Sequence, residues 1–178
     1  RETNVKQSVS LVIYNQAIPQ DNQELLKAKR LGIVCKSYPE AVGELTRQYK
    51  TIAVAGSHGK STTTAMVSLI LIEAGLDPTV IIGTKLKEFS PQSYRDTKGL
   101  PRRSAPRNDR YAVNFRRGKS DWLVLEADEW KASFLNYYPT VAVITNIDKE
   151  HLDFYKNFSE VKKTFEKFKN QCEQVLSA

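Results

Sequence analysis

The sequence predicts an α/β fold, a mostly parallel sheet flanked by helices, preceded by the tail of a separate βαβ domain. Three observations predict it. The apolar run Thr51-Ile52-Ala53-Val54-Ala55 enters a glycine-containing turn and then a helical pattern. Two later runs, Trp122 to Leu125 and Thr140 to Ile144, are apolar at nearly every position, as strands covered on both faces of a parallel sheet must be. Ahead of residue 50 a shorter strand and helix alternation stands apart from this unit.

In chain order, Val9 to Tyr14 is a short β-rich run, followed by a turn-like Ile18 to Asn22 and a helical pattern from Gln23 to Leu31 that Gly32 stops. Ile33 to Cys35 is a short strand. Pro39 to Tyr49 is an amphipathic helix with Ala41, Val42, Leu45 and Tyr49 on one face. After the strand Thr51 to Ala55, a helix is predicted from about Lys60 to Ala74, stopped by Gly75, with Thr79 to Ile82 as the next strand. The stretch from Glu88 to Asn108 holds three prolines, many basic residues and little periodicity, and reads as a long loop or disordered insertion. Ser159 to Leu176 is predicted as a final helix, with Ser159 as N-cap and Val161, Phe165, Phe168, Cys172 and Val175 on its apolar face.

Composition narrows the function classes. The chain has 178 residues, 40% hydrophobic and 26% charged, enough for one ordinary core and a small second one. No apolar run reaches the ~18 residues of a membrane-spanning helix, because Ser68 and Glu73 interrupt the longest. An arginine at position 1 in place of methionine is expected of a processed or excised chain. Cys35 and Cys172 have no metal-ligand spacing between them, and such sparse cysteine usage suits a reducing cytoplasm. Much of the net charge of +7 lies between Lys85 and Lys119. Such a face attracts anions, but charge alone does not choose among nucleic acid, a nucleotide-sugar, ATP and a solvated loop with no ligand. No aromatic platform accompanies the charge, which argues against a nucleic-acid module.

The strongest local signal is Ala55-Gly56-Ser57-His58-Gly59-Lys60-Ser61-Thr62-Thr63-Thr64, between a strand and a helix. A strand feeding such a turn aims backbone N–H groups and a helix N-terminus at one point, where polyphosphate charge is stabilised. Gly56 and Gly59 permit close backbone approach, Lys60 reaches phosphates, and the Ser61 hydroxyl suits Mg²⁺. The common spacing would put another glycine at position 54, which is Val54. The alternative is a glycine-rich turn in which Lys60 and Ser61 only cap the helix, and His58 reads equally as a phosphate-side donor or a solvent-facing loop residue.

Two further constellations follow predicted parallel strands, so they share the rim of strand carboxyl ends with that loop. In Glu126-Ala127-Asp128-Glu129, Glu126 is well placed for magnesium, while Asp128 and Glu129 read equally as an exposed acidic helix start. Thr145-Asn146-Ile147-Asp148-Lys149-Glu150-His151 is the other. A lone histidine is more often structural, and it is the shared rim that makes His151 a candidate metal or phosphate contact.

Together, the loop from Ala53 to Thr64, Glu126-Ala127-Asp128-Glu129 with Ala132-Ser133-Phe134, and Thr145-Asn146 with His151-Leu152-Asp153 resemble the Mur ligase family. The resemblance spans nearly the whole chain apart from residues 88–108. It implies a P-loop-containing central domain over residues 50–178, incomplete at its end, preceded by the C-terminal part of a Rossmann-like UDP-binding domain over residues 1–49. A further C-terminal ligase domain lies outside the chain on this view.

The implied activity is cytoplasmic and ATP-dependent: ligation of L-alanine to UDP-N-acetylmuramate through an acyl phosphate, in peptidoglycan precursor synthesis. By family position, Lys60 contacts phosphates, Ser61 and Glu126 hold one Mg²⁺ and His151 a second. Gly56, Ser57, His58, Gly59, Thr62 and Asn146 complete the nucleotide cradle. Lys60, Glu126 and His151 are the implied catalytic set. Ser57 and Ser61 stand where the family usually has threonines, Glu150 where aspartate is usual, and Trp130-Lys131 where a polar and acidic pair is usual. The competing readings are a recycling ligase that attaches a whole peptide to the same sugar nucleotide, and a nucleotide-binding fragment without catalysis. The isolated chain is expected to bind nucleotide without completing the reaction. Neither nucleic acid nor membrane is an expected partner, and oligomeric state is left open.

Overall fold

The structure, a computed structural model, describes residues 4–89 and 113–177. The expected insertion falls outside the described residues from position 90 onward; Lys87–Phe89 form a single 3-10 turn.

Two parallel strands, β1 (Leu11–Tyr14) and β2 (Val34–Ser37), pair in register from Leu11 with Val34 to Tyr14 with Ser37. The helix between them, α1 (Gln23–Arg30), starts at Asn22, whose Oδ1 accepts from the Glu24 and Leu25 amides at 3.0 and 3.2 Å. Helix α2 (Tyr38–Thr46) follows directly, with Pro39 in its first turn and the Ser37 amide and hydroxyl both donating to the Glu40 carboxylate at 2.7 Å. These hydrogen bonds hold the Glu40 carboxyl below the usual range. The buried face of α2 is Pro39, Val42, Gly43 and Thr46 rather than the expected Ala41, Val42, Leu45 and Tyr49. The shift has a cause. A Cβ on Gly43 would stand 2.3 Å from the Asn136 carbonyl oxygen, so the bare glycine face is what lets α2 lie against residues 130–136.

Among the described residues the main sheet has six strands in the order β5-β4-β6-β3-β7-β8. They are β3 (Lys50–Ala55), β4 (Thr79–Leu86), β5 (Val113–Arg116), β6 (Trp122–Glu126), β7 (Val141–Ile144) and β8 (Gln174–Ser177). All neighbours run parallel except β5, which pairs antiparallel with β4. The expected mostly parallel sheet is therefore present, with an antiparallel edge strand that short polar Val-Asn-Phe-Arg did not announce.

The central strand β3 is flanked by β6 and β7, and Ala53, Val54, Ala55, Leu123, Val124 and Ala142 are wholly buried. Helix α3 (Lys60–Glu73) turns Thr64 and Ser68 inward, both fully buried. Their hydroxyls bond the Lys60 and Thr64 carbonyls at 2.8 and 2.7 Å, so small satisfied side chains face the core there.

The predicted final helix divides. Helix α4 (Phe158–Lys169) begins at Asn157, whose Oδ1 accepts from the Glu160 amide, so Asn157 and not Ser159 is the N-cap. It ends at Asn170, and Gln174–Ser177 becomes β8, with Val175 paired to Ala142. Val161, Phe165 and Phe168 are buried as expected, with Phe134 stacked on Phe168 at 4.5 Å and edge-on to Phe165 at 5.0 Å.

Candidate active site

The loop after β3 is tied to the end of β7 by a close set of contacts. The Ser57 amide donates to the Asn146 carbonyl at 3.0 Å, and the Ser57 hydroxyl accepts from the Asp148 amide at 2.8 Å. Asn146 grips the other side of the turn: its Oδ1 accepts from the His58 amide at 2.9 Å and its Nδ2 donates to the His58 carbonyl at 3.0 Å. Thr145 Oγ1 donates to that same carbonyl at 2.6 Å. Gly56 adopts φ 135° and Gly59 φ 80°, conformations that side chains resist. Val54, where the common spacing has glycine, is fully buried in β3, so the strand runs on to Ala55 and the turn is shorter.

Lys60 opens α3 and folds back over this turn. Its Nζ donates to Gly56 O at 2.7 Å, Ser57 O at 3.1 Å and Glu129 Oε1 at 3.2 Å. Ser61, the next residue, donates to Glu126 Oε1 at 2.9 Å, while Gly83 N donates to Glu126 Oε2 at 2.7 Å. The carboxylate at the end of β6 is thus held from α3 and from β4.

This pair fits a magnesium ion. The Ser61 hydroxyl and the Glu126 carboxylate, 2.9 Å apart, are hard oxygen donors of the kind that would hold such an ion.

Glu129 is the residue whose environment departs furthest from expectation. Asp128 is exposed and caps the Trp130 amide at 3.1 Å, as an acidic turn residue would. Glu129 is only 1% exposed, and burial raises its carboxyl above the ordinary value against the opposing pull of Lys60. Its carbonyl accepts from Tyr155 Oη at 2.6 Å and from Ala132 N at 2.9 Å, which pins the turn. His151 sits at φ 55°, a left-handed conformation that costs a non-glycine residue strain, and brings Nε2 to 3.5 Å from Glu129 Oε1. Donor atoms of Asp128, Glu129 and His151 all lie within 4.8 Å of one another.

Lys60, Glu126, Asp128 and His151 line one cavity of about 640 Å³, which Asn15, Gln16 and Tyr38 close from the β1 and β2 side. The structure therefore gathers Lys60, Ser61, Glu126 and His151 on one rim. Of the other expected cradle residues, Gly56 and Gly59 shape the turn, while the Ser57 hydroxyl and Asn146 amide are engaged in holding it. His58 is exposed, 3.3 Å from Glu150 and 3.8 Å from Asp148, and Thr62 is exposed on α3. Sequence reasoning left Glu129 open between a site carboxylate and an exposed acidic helix start, and did not place it buried against Lys60. The signals for burial were its place in the Glu126-Ala127-Asp128-Glu129 motif and the nearby apolar Ala127 and Trp130.

A strand, phosphate-type loop and helix with a carboxylate and a histidine at the two neighbouring strand ends define a nucleotide-binding module of the parallel α/β class. Residues 54–176 match the family described as Mur ligase middle domain, and residues 1–50 the one described as Mur ligase family, catalytic domain. The chain belongs to the Mur ligase family. Among curated relatives it is 46% identical over 160 residues to the UDP-N-acetylmuramate--L-alanine ligase of Aquifex aeolicus, covering 90% of this chain and 30% of that protein. It is 44% identical over 161 residues to the enzyme of that name from Persephonella marina, again covering 90% and 30%. The chain thus spans about a third of the length of these relatives. Its fold matches the crystal structure of UDP-N-acetylmuramate-alanine ligase from Thermotoga maritima with a TM-score of 0.78 at 26% identity, over 99% of this chain and 36% of that one.

Proposed function

We propose that this chain is the nucleotide-binding portion of a cytoplasmic ligase that joins L-alanine to UDP-N-acetylmuramate at the expense of ATP. In this reading residues 1–49 belong to the UDP-binding domain and residues 50–178 to the Mg-ATP domain. The observation that carries it is the placement of Lys60, the Ser61 and Glu126 pair, and His151 around one cavity. The relatives' shared name supports L-alanine as the acceptor over a whole peptide.

The chemistry follows from that arrangement. A carboxylate oxygen of the sugar nucleotide attacks the γ-phosphorus, the bond to the β-phosphate oxygen breaks, and ADP leaves. The amine of L-alanine then attacks the acyl carbon, phosphate departs with its bridging oxygen, and the nitrogen loses a proton. Little covalent work falls to the protein in such a transfer, so positioning and charge dominate. Lys60 and the amides of the loop and of the first turn of α3 meet the phosphate charge. Ser61 and Glu126 would hold one Mg²⁺ and His151 a second, and the chemistry such ions would supply is neutralisation of phosphate charge. Asn146 keeps the loop in shape through His58.

Calorimetry of Mg²⁺-dependent ADP binding to the chain tests the site, with Lys60→Ala and Glu126→Ala each expected to abolish it. Phosphate release by the full-length protein tests the substrates. Release that requires UDP-N-acetylmuramate and L-alanine supports the proposal, whereas release with a muramyl peptide and none with L-alanine would replace it by the recycling activity.

A further inference from the structure

We infer that Glu129 is the counter-anion of Lys60 in the phosphate-free loop, and that its displacement makes the site select metal-bound over metal-free polyphosphate. The inference rests on the reading of the loop as a phosphate site.

An ammonium group has three donors, and Lys60 spends all three on Gly56 O, Ser57 O and Glu129 Oε1. A phosphate that engages Lys60 must free at least one. The two carbonyls belong to the turn itself. Glu129 is the partner that carries negative charge, and it sits against the Nζ that the phosphate would engage.

Glu129 cannot retreat to water. It is 1% exposed, and its Oε2 lies 3.0 Å from Lys60 Nζ as a charge contact, with no hydrogen bond from the described residues. Once Lys60 turns to phosphate, the buried carboxylate loses its ammonium partner, with His151 Nε2 3.5 Å away. A bare polyphosphate therefore adds charge to a pocket that already holds an uncompensated anion. A cation arriving with the nucleotide offsets that charge, because the donor atoms of Asp128, Glu129 and His151 cluster within 4.8 Å. Glu129 acts through Lys60 and His151, so it is a positioning and selectivity residue.

The test is calorimetric titration of the chain with ADP and with inorganic pyrophosphate, each with EDTA and with Mg²⁺, for the wild type, Glu129→Gln and Glu129→Gln/Lys60→Ala. Glutamine keeps the shape and an acceptor for Lys60 but removes the charge. Metal-free ADP and pyrophosphate are expected to bind Glu129→Gln about tenfold more tightly than the wild type, the worth of one charge-assisted contact, with a smaller gain for Mg-ADP. The double variant should bind neither ligand measurably, since the gain works through Lys60. A merely structural role for Glu129 gives the opposite sign, since loosening the turn weakens every ligand. Urea unfolding of Lys60→Met, Glu129→Gln and the double variant measures the pair without any ligand; the double variant should unfold about tenfold less readily than the two single effects combined imply. Anion binding that Glu129→Gln fails to strengthen would overturn the counter-anion role alone. Coupling of the pair with no anion bound by any variant would overturn the phosphate-site reading and leave Glu129 a structural partner of Lys60.

Discussion

Replacement of Gly56 by alanine tests the joint between the sheet and the phosphate loop. Gly56 sits at φ 135°, and a Cβ there would stand 2.1 Å from Thr145 Oγ1, 2.9 Å from Asn146 O and 3.1 Å from Asn146 N. None of these neighbours is free to move. Thr145 Oγ1 donates to His58 O at 2.6 Å, and Asn146 O accepts from Ser57 N at 3.0 Å. Two costs add: about 1–3 kcal/mol for the backbone conformation and about 1–3 kcal/mol for overpacking against the end of β7. The expected loss of stability is therefore about 2–6 kcal/mol. Gly75 provides the control, with φ 80° and nothing within 4 Å of its Cβ position, so Gly75→Ala bears the conformational cost alone, about 1–2 kcal/mol. Urea unfolding of the two variants beside the wild type separates the terms, and ADP calorimetry reports the loop. If Gly56→Ala costs no more than Gly75→Ala, or binds ADP as the wild type does, the close approach of loop and strand end is not what shapes the site.

Phe134→Ala is expected to cost about 3–5 kcal/mol in urea unfolding, because a fully buried ring between Phe165 and Phe168 leaves a cavity that the surrounding helix and strand ends cannot fill. Asp77 accepts from Arg116 and from the Lys119 amide, and the Arg116 hydrogen bond holds its carboxyl below the ordinary value of 3.8. A carboxyl whose folded value is depressed stabilises the fold above its unfolded value and loses that contribution as pH falls through the folded one. Wild-type stability should therefore drop below about pH 4 more than that of Asp77→Asn, and by about 1 kcal/mol at most since the pair is partly solvent-exposed; equal slopes would rule the contribution out. Burial pushes the Cys172 thiol up to about 11, so iodoacetamide at pH 8 should modify it slowly in the folded chain and fast in urea, as peptide mass mapping would show.

The elements that sequence reasoning placed well are those whose signal is local. The strand-turn-helix from Thr51 through Lys60 needs only an apolar run, glycines and a helical pattern. The covered strands at residues 122 and 141 are apolar on both faces in any sheet order. What escaped was set by distant partners. The strand Gln174–Ser177 looks like a continuation of the apolar helix face because Cys172 and Val175 keep its period, and only pairing with β7 makes it extended. The strand Val113–Arg116 has little strand character of its own and is recruited by β4. The α2 face was misjudged because its neighbour, residues 130–136, demands a glycine rather than a leucine.

The sequence by itself determined the phosphate-type turn, the candidate roles of Lys60, Ser61, Glu126 and His151, and the family resemblance, since each depends on residue identity and short spacing. Only the tertiary structure decided that Glu129 lies buried against Lys60 while its neighbour Asp128 faces solvent. It also decided that Asn15 and Gln16 reach the same cavity from the first sheet. The physical reason is common to both. Burial and charge compensation arise from the sum of elements packed around a side chain, and adjacent residues in one turn can meet opposite surroundings that no local pattern encodes.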